Sequence, residues 1–130
     1  MGQSSPLKRI PVLVIEDEPV LRLDAISMVE RAGFEAVEAL DIRHALQLLE
    51  TRLDIRVVYM DLDMPRGRKG LELAMTIRDR WPPIEIILTA AYVTADDIVL
   101  PERAEFYPKP VRPNEVVAAM RRMAASQHRC

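Results

Sequence analysis

Cysteine is almost absent. The single thiol, Cys130, is the last of 130 residues. One terminal cysteine cannot close an internal bridge or build a zinc site, and a reducing, cytoplasmic setting fits that usage. Long hydrophobic runs are also missing. The longest apolar stretches have four or five residues, against the ~20 needed to cross a bilayer. Met1-Gly2-Gln3-Ser4-Ser5-Pro6 lacks the apolar segment of a secretion signal. There is no excess of positive charge: 18 basic residues face 20 acidic ones, net −2, which gives no electrostatic drive toward nucleic acid. No Gly-x-Gly-x-x-Gly or Walker pattern follows any apolar run, so nucleotide binding has no motif behind it.

What is present reads as one globular domain, with 49% hydrophobic and 29% charged residues. The expected organisation is a disordered tail over 1–9, a domain over 10–126 and a short tail over 127–130. Val12-Leu13-Val14-Ile15 is apolar on both faces, the pattern of a strand buried on both sides. Pro19 suits a first helical turn, with Leu21, Ala25 and Met28 on the inner stripe and Gly33 as the stop. Phe34 to Leu40 reads as a more polar second strand. Asp41 is an N-cap for a helix whose inner face is Ile42, Ala45, Leu46, Leu49 and Leu53. Val57-Val58-Tyr59-Met60 is a third apolar strand, followed by a loop over 61–70 containing Pro65, Gly67 and Gly70. Leu71 to Arg80 is helical, stopped by Trp81-Pro82-Pro83. Strands at Ile84–Leu88 and Ala104–Tyr107 and a last helix from Pro113 to Ala125 complete the chain. The strand starts lie roughly 20–27 residues apart, room for a crossover helix each, which implies a parallel sheet with helices on both faces.

In such sheets ligands bind beyond the carboxyl ends of the strands. Glu16 and Asp17 follow the first strand, Asp61 and Asp63 the third, Thr89 the fourth and Lys109 the fifth. Three carboxylates, a hydroxyl and an ammonium thus converge at one edge. Crowded carboxylates repel unless a cation neutralises them, and Mg²⁺ uses one or two carboxylates plus waters and a phosphate. A metal-neutralised carboxylate can act as a nucleophile toward phosphorus, with Thr89 and Lys109 holding the phosphoryl oxygens.

These residues resemble the receiver domain of bacterial two-component response regulators, of the stand-alone, single-domain type. The resemblance runs from about Pro11 to Ala125, through Val-Leu-Val-Ile-Glu16-Asp17-Glu, Tyr-Met-Asp61-Leu-Asp-Met-Pro65, Ile-Leu-Thr89-Ala and Phe106-Tyr-Pro-Lys109-Pro110. It implies a flavodoxin-like doubly wound sheet of order 2-1-3-4-5. It makes Asp61 the phosphoacceptor, Asp17 a direct Mg²⁺ ligand, Glu16 a ligand through a metal-bound water, and the backbone carbonyl of Asp63 the third protein ligand. Thr89 and Lys109 contact the phosphoryl group. Phe106 takes the position of the switch aromatic, with a plain core role as the alternative. The Asp63 side chain is expected to face solvent, and Lys109–Pro110 is a candidate cis peptide.

Three departures from the family pattern stand out. Pro65-Arg66-Gly67-Arg68-Lys69-Gly70 is one residue longer than the usual turn and puts three cations beside an acidic site. The segment from Thr89 to Lys109 is short, so the fourth helix, between strands four and five, is expected to be short or irregular, which leaves a monomer or a weak homodimer. No effector module follows the last helix, so output is expected by contact with an unknown downstream protein or by passing the phosphoryl group on. The resemblance implies a histidine kinase or histidine phosphotransfer protein as partner, with no nucleic acid and no membrane. Catalysis is expected only as self-phosphorylation and slow self-dephosphorylation. Two other readings compete: a haloacid-dehalogenase-like phosphatase built on Asp61-Leu62-Asp63, and a non-phosphorylated docking module. His44 and His128 are expected on solvated surfaces.

Overall fold

The computed structural model describes residues 9–63, 67–94, 96 and 98–126, without the side chains of Gly67 and Arg68. The expected tails, apart from Arg9, and the cation Arg66 lie outside the described residues, as does the side chain of Arg68. Five strands, β1 (Pro11–Ile15), β2 (Glu35–Ala39), β3 (Val57–Asp61), β4 (Glu85–Ala90) and β5 (Ala104–Pro108), form one sheet. The order is β2-β1-β3-β4-β5, and each of the four neighbouring pairs is parallel. Four helices accompany it: α1 (Pro19–Arg31), α2 (Ile42–Thr51), α3 (Gly67–Arg80) and α4 (Pro113–Ser126). This is the doubly wound architecture that the apolar runs imply.

The apolar strands bury side chains on both faces, because helices cover both. Leu13, Ile15, Val58, Met60, Ile86 and Leu88 pack with Ala45 and Leu49 of α2 and Ala74 and Ile77 of α3. On the other face Val12, Val14, Tyr59 and Ile87 meet Met28 and Val29 of α1 and Val116 and Met120 of α4. Glu18 caps α1 by accepting from the Leu21 amide at 2.8 Å, with Pro19 in the first turn. Asp41 caps α2 by accepting from the His44 amide at 2.8 Å. Gly33 closes α1 at φ +98°, a conformation side chains avoid.

Several expectations need correction. Leu53 is 69% exposed because α2 ends at Thr51, so it cannot share the inner face. Leu21 is 42% exposed, since the burial stripe of α1 runs through Ala25, Met28 and Val29. Helix α3 begins at Gly67, inside the segment expected as loop.

Between β4 and β5 no α-helix occurs among the described residues, as the short spacing suggested. Arg78 of α3 ties the end of this stretch to the turn before β4. Its guanidinium donates to the carbonyls of Glu102 at 2.6 Å, Pro82 at 2.7 Å and Ile84 at 2.6 Å. The planar fork of arginine suits such a cluster of backbone acceptors.

Candidate phosphoacceptor site

The strand order reverses at β1, so the crevice beyond β1 and β3 is where the fold offers a site. Asp61 ends β3 and pairs in register with Thr89 of β4. The chain then locks around it. The Leu62 amide donates to the Thr89 carbonyl at 2.7 Å, and the Asp63 amide donates to Asp61 Oδ1 at 2.8 Å. The Lys109 amide donates to the Ala90 carbonyl at 2.9 Å, placing the lysine over the same edge. Lys109 Nζ reaches Asp61 Oδ2 at 2.8 Å and Asp63 Oδ2 at 3.4 Å. The Lys109–Pro110 peptide is cis, as expected. Glu16, Asp17, Asp61, Asp63 and Lys109 line one cleft, as expected, while Thr89 borders a second one that shares Glu16 and Lys109.

Glu16 and Asp61 are 4% and 3% exposed, unusual burial for carboxyl groups. Burial, followed by contact with Asp61, pushes Glu16 up to about 8, against the opposing effects of the Glu18 amide and Lys109. Asp17 is raised as well, by burial and by the charge of Asp61. Burial works against the charge of Lys109, yet its hydrogen bond to Asp61 and the charges of Asp61, Glu16 and Asp63 outweigh that and raise its pKa. The crevice therefore holds more negative charge than one ammonium balances.

Two observations bear on what the site could accept. The Thr89 hydroxyl is buried and has no hydrogen-bond partner, an acceptor-seeking donor beside Asp61. No three His, Cys, Asp or Glu side chains among the described residues come together as a ready-made metal cage. Asp17 and Asp61, lining one cleft, fit a hard cation that keeps most of its waters and uses one or two carboxylates, the habit of Mg²⁺.

Three features escaped sequence reasoning. The Asp63 side chain does not face solvent: besides Lys109, it accepts from the Ala91 amide at 2.6 Å and the Tyr92 amide at 3.2 Å. Free amides in the turn after β4 attract it there. Arg22 donates to the Glu16 carbonyl at 3.1 Å and pairs with Glu38 of β2 at 2.6 Å. A cation one turn into the helix after an acidic strand end was the available signal. Tyr59, a phenol two residues before Asp61 in a strand read only as apolar, was the third. Phe106 is partly buried against the α2–α3 side of the core. His44 is half-buried and accepts from the Leu40 amide at 3.1 Å.

A doubly wound parallel sheet with an acidic crevice beyond its switch point, reached by a lysine that follows β5, defines the class of architecture. The model of the response regulator receiver domain matches residues 12–121, and the chain belongs to that family. Aerobic respiration control protein ArcA of Escherichia coli is 32% identical over 114 residues, covering 86% of this chain and 47% of ArcA. Transcriptional regulatory protein PdtaR of Mycobacterium tuberculosis is 38% identical over 80 residues, 61% of this chain and 38% of PdtaR. The chain thus spans about half the length of ArcA or less of such curated relatives. The receiver domain of an HD domain-containing protein from Pseudomonas fluorescens superposes with a TM-score of 0.80 at 22% identity, covering 93% of this chain and 98% of that one. A receiver protein from Pseudomonas putida gives 0.73 at 26% identity, covering 88% and 97%. Receiver domains belong to two-component systems and are signalling domains rather than conventional enzymes. Among the described residues no helix is long and apolar enough to cross a membrane.

Proposed function

We propose that this chain is a phosphorylation-dependent switch that accepts a phosphoryl group on Asp61 from a histidine kinase or histidine phosphotransfer protein. The observation that carries the reading is the buried Asp61 carboxylate held by Lys109 at 2.8 Å, with the unpartnered Thr89 hydroxyl in the adjoining register position. An Asp61 oxygen attacks the phosphorus of a phosphohistidine. The P–O bond forms as the P–N bond breaks, and the imidazole leaves with the electron pair. Lys109 stays with the phosphoryl oxygens, and Thr89 donates to one of them, where charge accumulates. Later attack of water on phosphorus breaks the P–O bond and restores the carboxylate.

Asp17, Asp61 and the Asp63 carbonyl would hold Mg²⁺, with Glu16 acting through a bound water. The ion offsets carboxylate charge and polarises phosphoryl oxygens when bound. Phe106, partly buried in the middle of β5, fits a residue that moves when Thr89 turns. Residues 10–126 make up the receiver unit, and a cytoplasmic setting follows from the partners. Catalysis is confined to the chain's own phosphorylation and slow dephosphorylation. A monomer or weak homodimer passes the signal through an unidentified downstream protein.

Phosphotransfer profiling tests this. Autophosphorylated histidine kinases and phosphotransfer proteins of the source organism are mixed with the chain and Mg²⁺. One or a few should lose label rapidly to wild type and none to Asp61→Asn. Transfer from none, together with steady turnover of phosphate esters, would support the phosphatase reading instead.

A further inference from the structure

Asp61, Thr89 and Lys109 leave Tyr59 without a role. Tyr59 stands two residues before Asp61 on β3, so both side chains leave the same face of the sheet. Tyr59 pairs with Ile87 and Asp61 with Thr89, which makes Tyr59 and Thr89 diagonal neighbours across β3 and β4. That spacing is within reach of an aromatic side chain. Thr89 is 1% exposed and its hydroxyl lacks a partner. Behind the two residues a cavity of about 540 Å³ is bordered by Tyr59, Thr89, Glu16, Lys109, Met28 and Val111. The rear of the crevice therefore has room for a side chain to turn.

We infer that Tyr59 is a positioning residue for Thr89, its phenol competing with an incoming phosphoryl group for the Thr89 hydroxyl. This rests on the phosphoacceptor reading above. Without a phosphoryl group, a turn of Thr89 toward its diagonal neighbour closes the hydrogen bond to the phenol that this structure leaves open. With one on Asp61, the charged oxygens win, because a hydrogen bond to an ionised acceptor is about twice as strong as a neutral one. The phenol is then released toward the cavity. Tyr59 thus sets how much of the resting population must be rearranged before phosphoryl binding.

The test compares wild type, Tyr59→Phe, Thr89→Ala and the double variant. Tyr59→Phe keeps the ring and removes the competitor. It should tighten Mg²⁺-beryllofluoride binding by about two- to tenfold, the range of one neutral hydrogen bond. The gain should vanish in the Thr89→Ala background. In the resting protein, three-bond NMR couplings of the Thr89 methyl should show a changed χ1 population in Tyr59→Phe. Unchanged couplings together with unchanged binding, or an equal gain without Thr89, would overturn the inference. If Tyr59→Phe folds poorly, wild type decides: Thr89 must change its χ1 population when beryllofluoride binds, and a fixed rotamer is the contrary result. Failure of the phosphoacceptor reading looks different, since beryllofluoride would then bind neither wild type nor any variant while the resting couplings still report on Tyr59.

Discussion

Lys109 Nζ lies 2.8 Å from Asp61 Oδ2, across 48 residues of sequence and with one strand, β4, between β3, which Asp61 ends, and β5, which Lys109 follows. The lysine reaches this point because its own amide is fixed to the Ala90 carbonyl. Its ammonium is thereby placed where charge grows during phosphoryl transfer. Lys109→Ala should slow phosphoryl uptake from acetyl phosphate by about 10²-fold, the scale of losing one charge-stabilising donor. The initial rate of phosphoprotein formation measures this. A rate within threefold of wild type would deny Lys109 that part.

Mg²⁺ should stabilise the fold. Glu16 is pushed up to about 8 by burial and by Asp61, so the ion-free site is electrostatically unfavourable. A cation at a hundred times its dissociation constant adds about 2.7 kcal/mol by mass action, or roughly 10–20 °C in melting temperature for a domain of about 100 residues. Differential scanning calorimetry in EDTA and in excess Mg²⁺ measures the shift. Asp17→Asn should abolish most of it.

The pair of Arg122 and Glu105 joins α4 to β5, with Tyr107 Oη donating to Glu105 Oε1 at 2.7 Å. Arg122 is the main cause that holds the Glu105 carboxyl below its ordinary value. A depressed acid contributes stability above its unfolded pKa and loses it as pH falls through the folded one. Glu105→Gln should therefore destabilise near neutrality, by about 0.2–1 kcal/mol given the exposure of the pair. The difference should close below the ordinary carboxylate range. Urea unfolding of both proteins at neutral and acidic pH checks the sign.

Arg78 ties the end of the β4–β5 connection to the turn that precedes β4. Its guanidinium serves the carbonyls of Glu102, Pro82 and Ile84. Arg78→Ala leaves these acceptors to water, at about 1–3 kcal/mol. Amide exchange should rise most around Ile86, whose amide donates to the Arg103 carbonyl at 2.9 Å. Equal protection in both proteins would mean that the turn is held by other contacts.

The sheet was legible because β1, β3 and β4 are buried on both faces and so are written as near-continuous apolar runs. The acidic crevice was legible for a related reason: each polar residue that matters follows directly on such a run. What was not legible depends on tertiary contact. Nothing in Asp63 announces that its carboxylate is drawn to the amides of Ala91 and Tyr92 rather than to water. The extra first turn of α3 at Gly67 runs against the low helix propensity of glycine. Leu21 and Leu53 show that helical spacing marks a stripe but not where the stripe meets the sheet.

The most direct measurement of the central claim is intact mass after incubation with Mg²⁺ and acetyl phosphate. Wild type should gain one phosphoryl mass, lost again on standing, and Asp61→Asn should gain none. Equal uptake by the two proteins, or uptake by neither, would contradict the assignment of Asp61 as the phosphoacceptor.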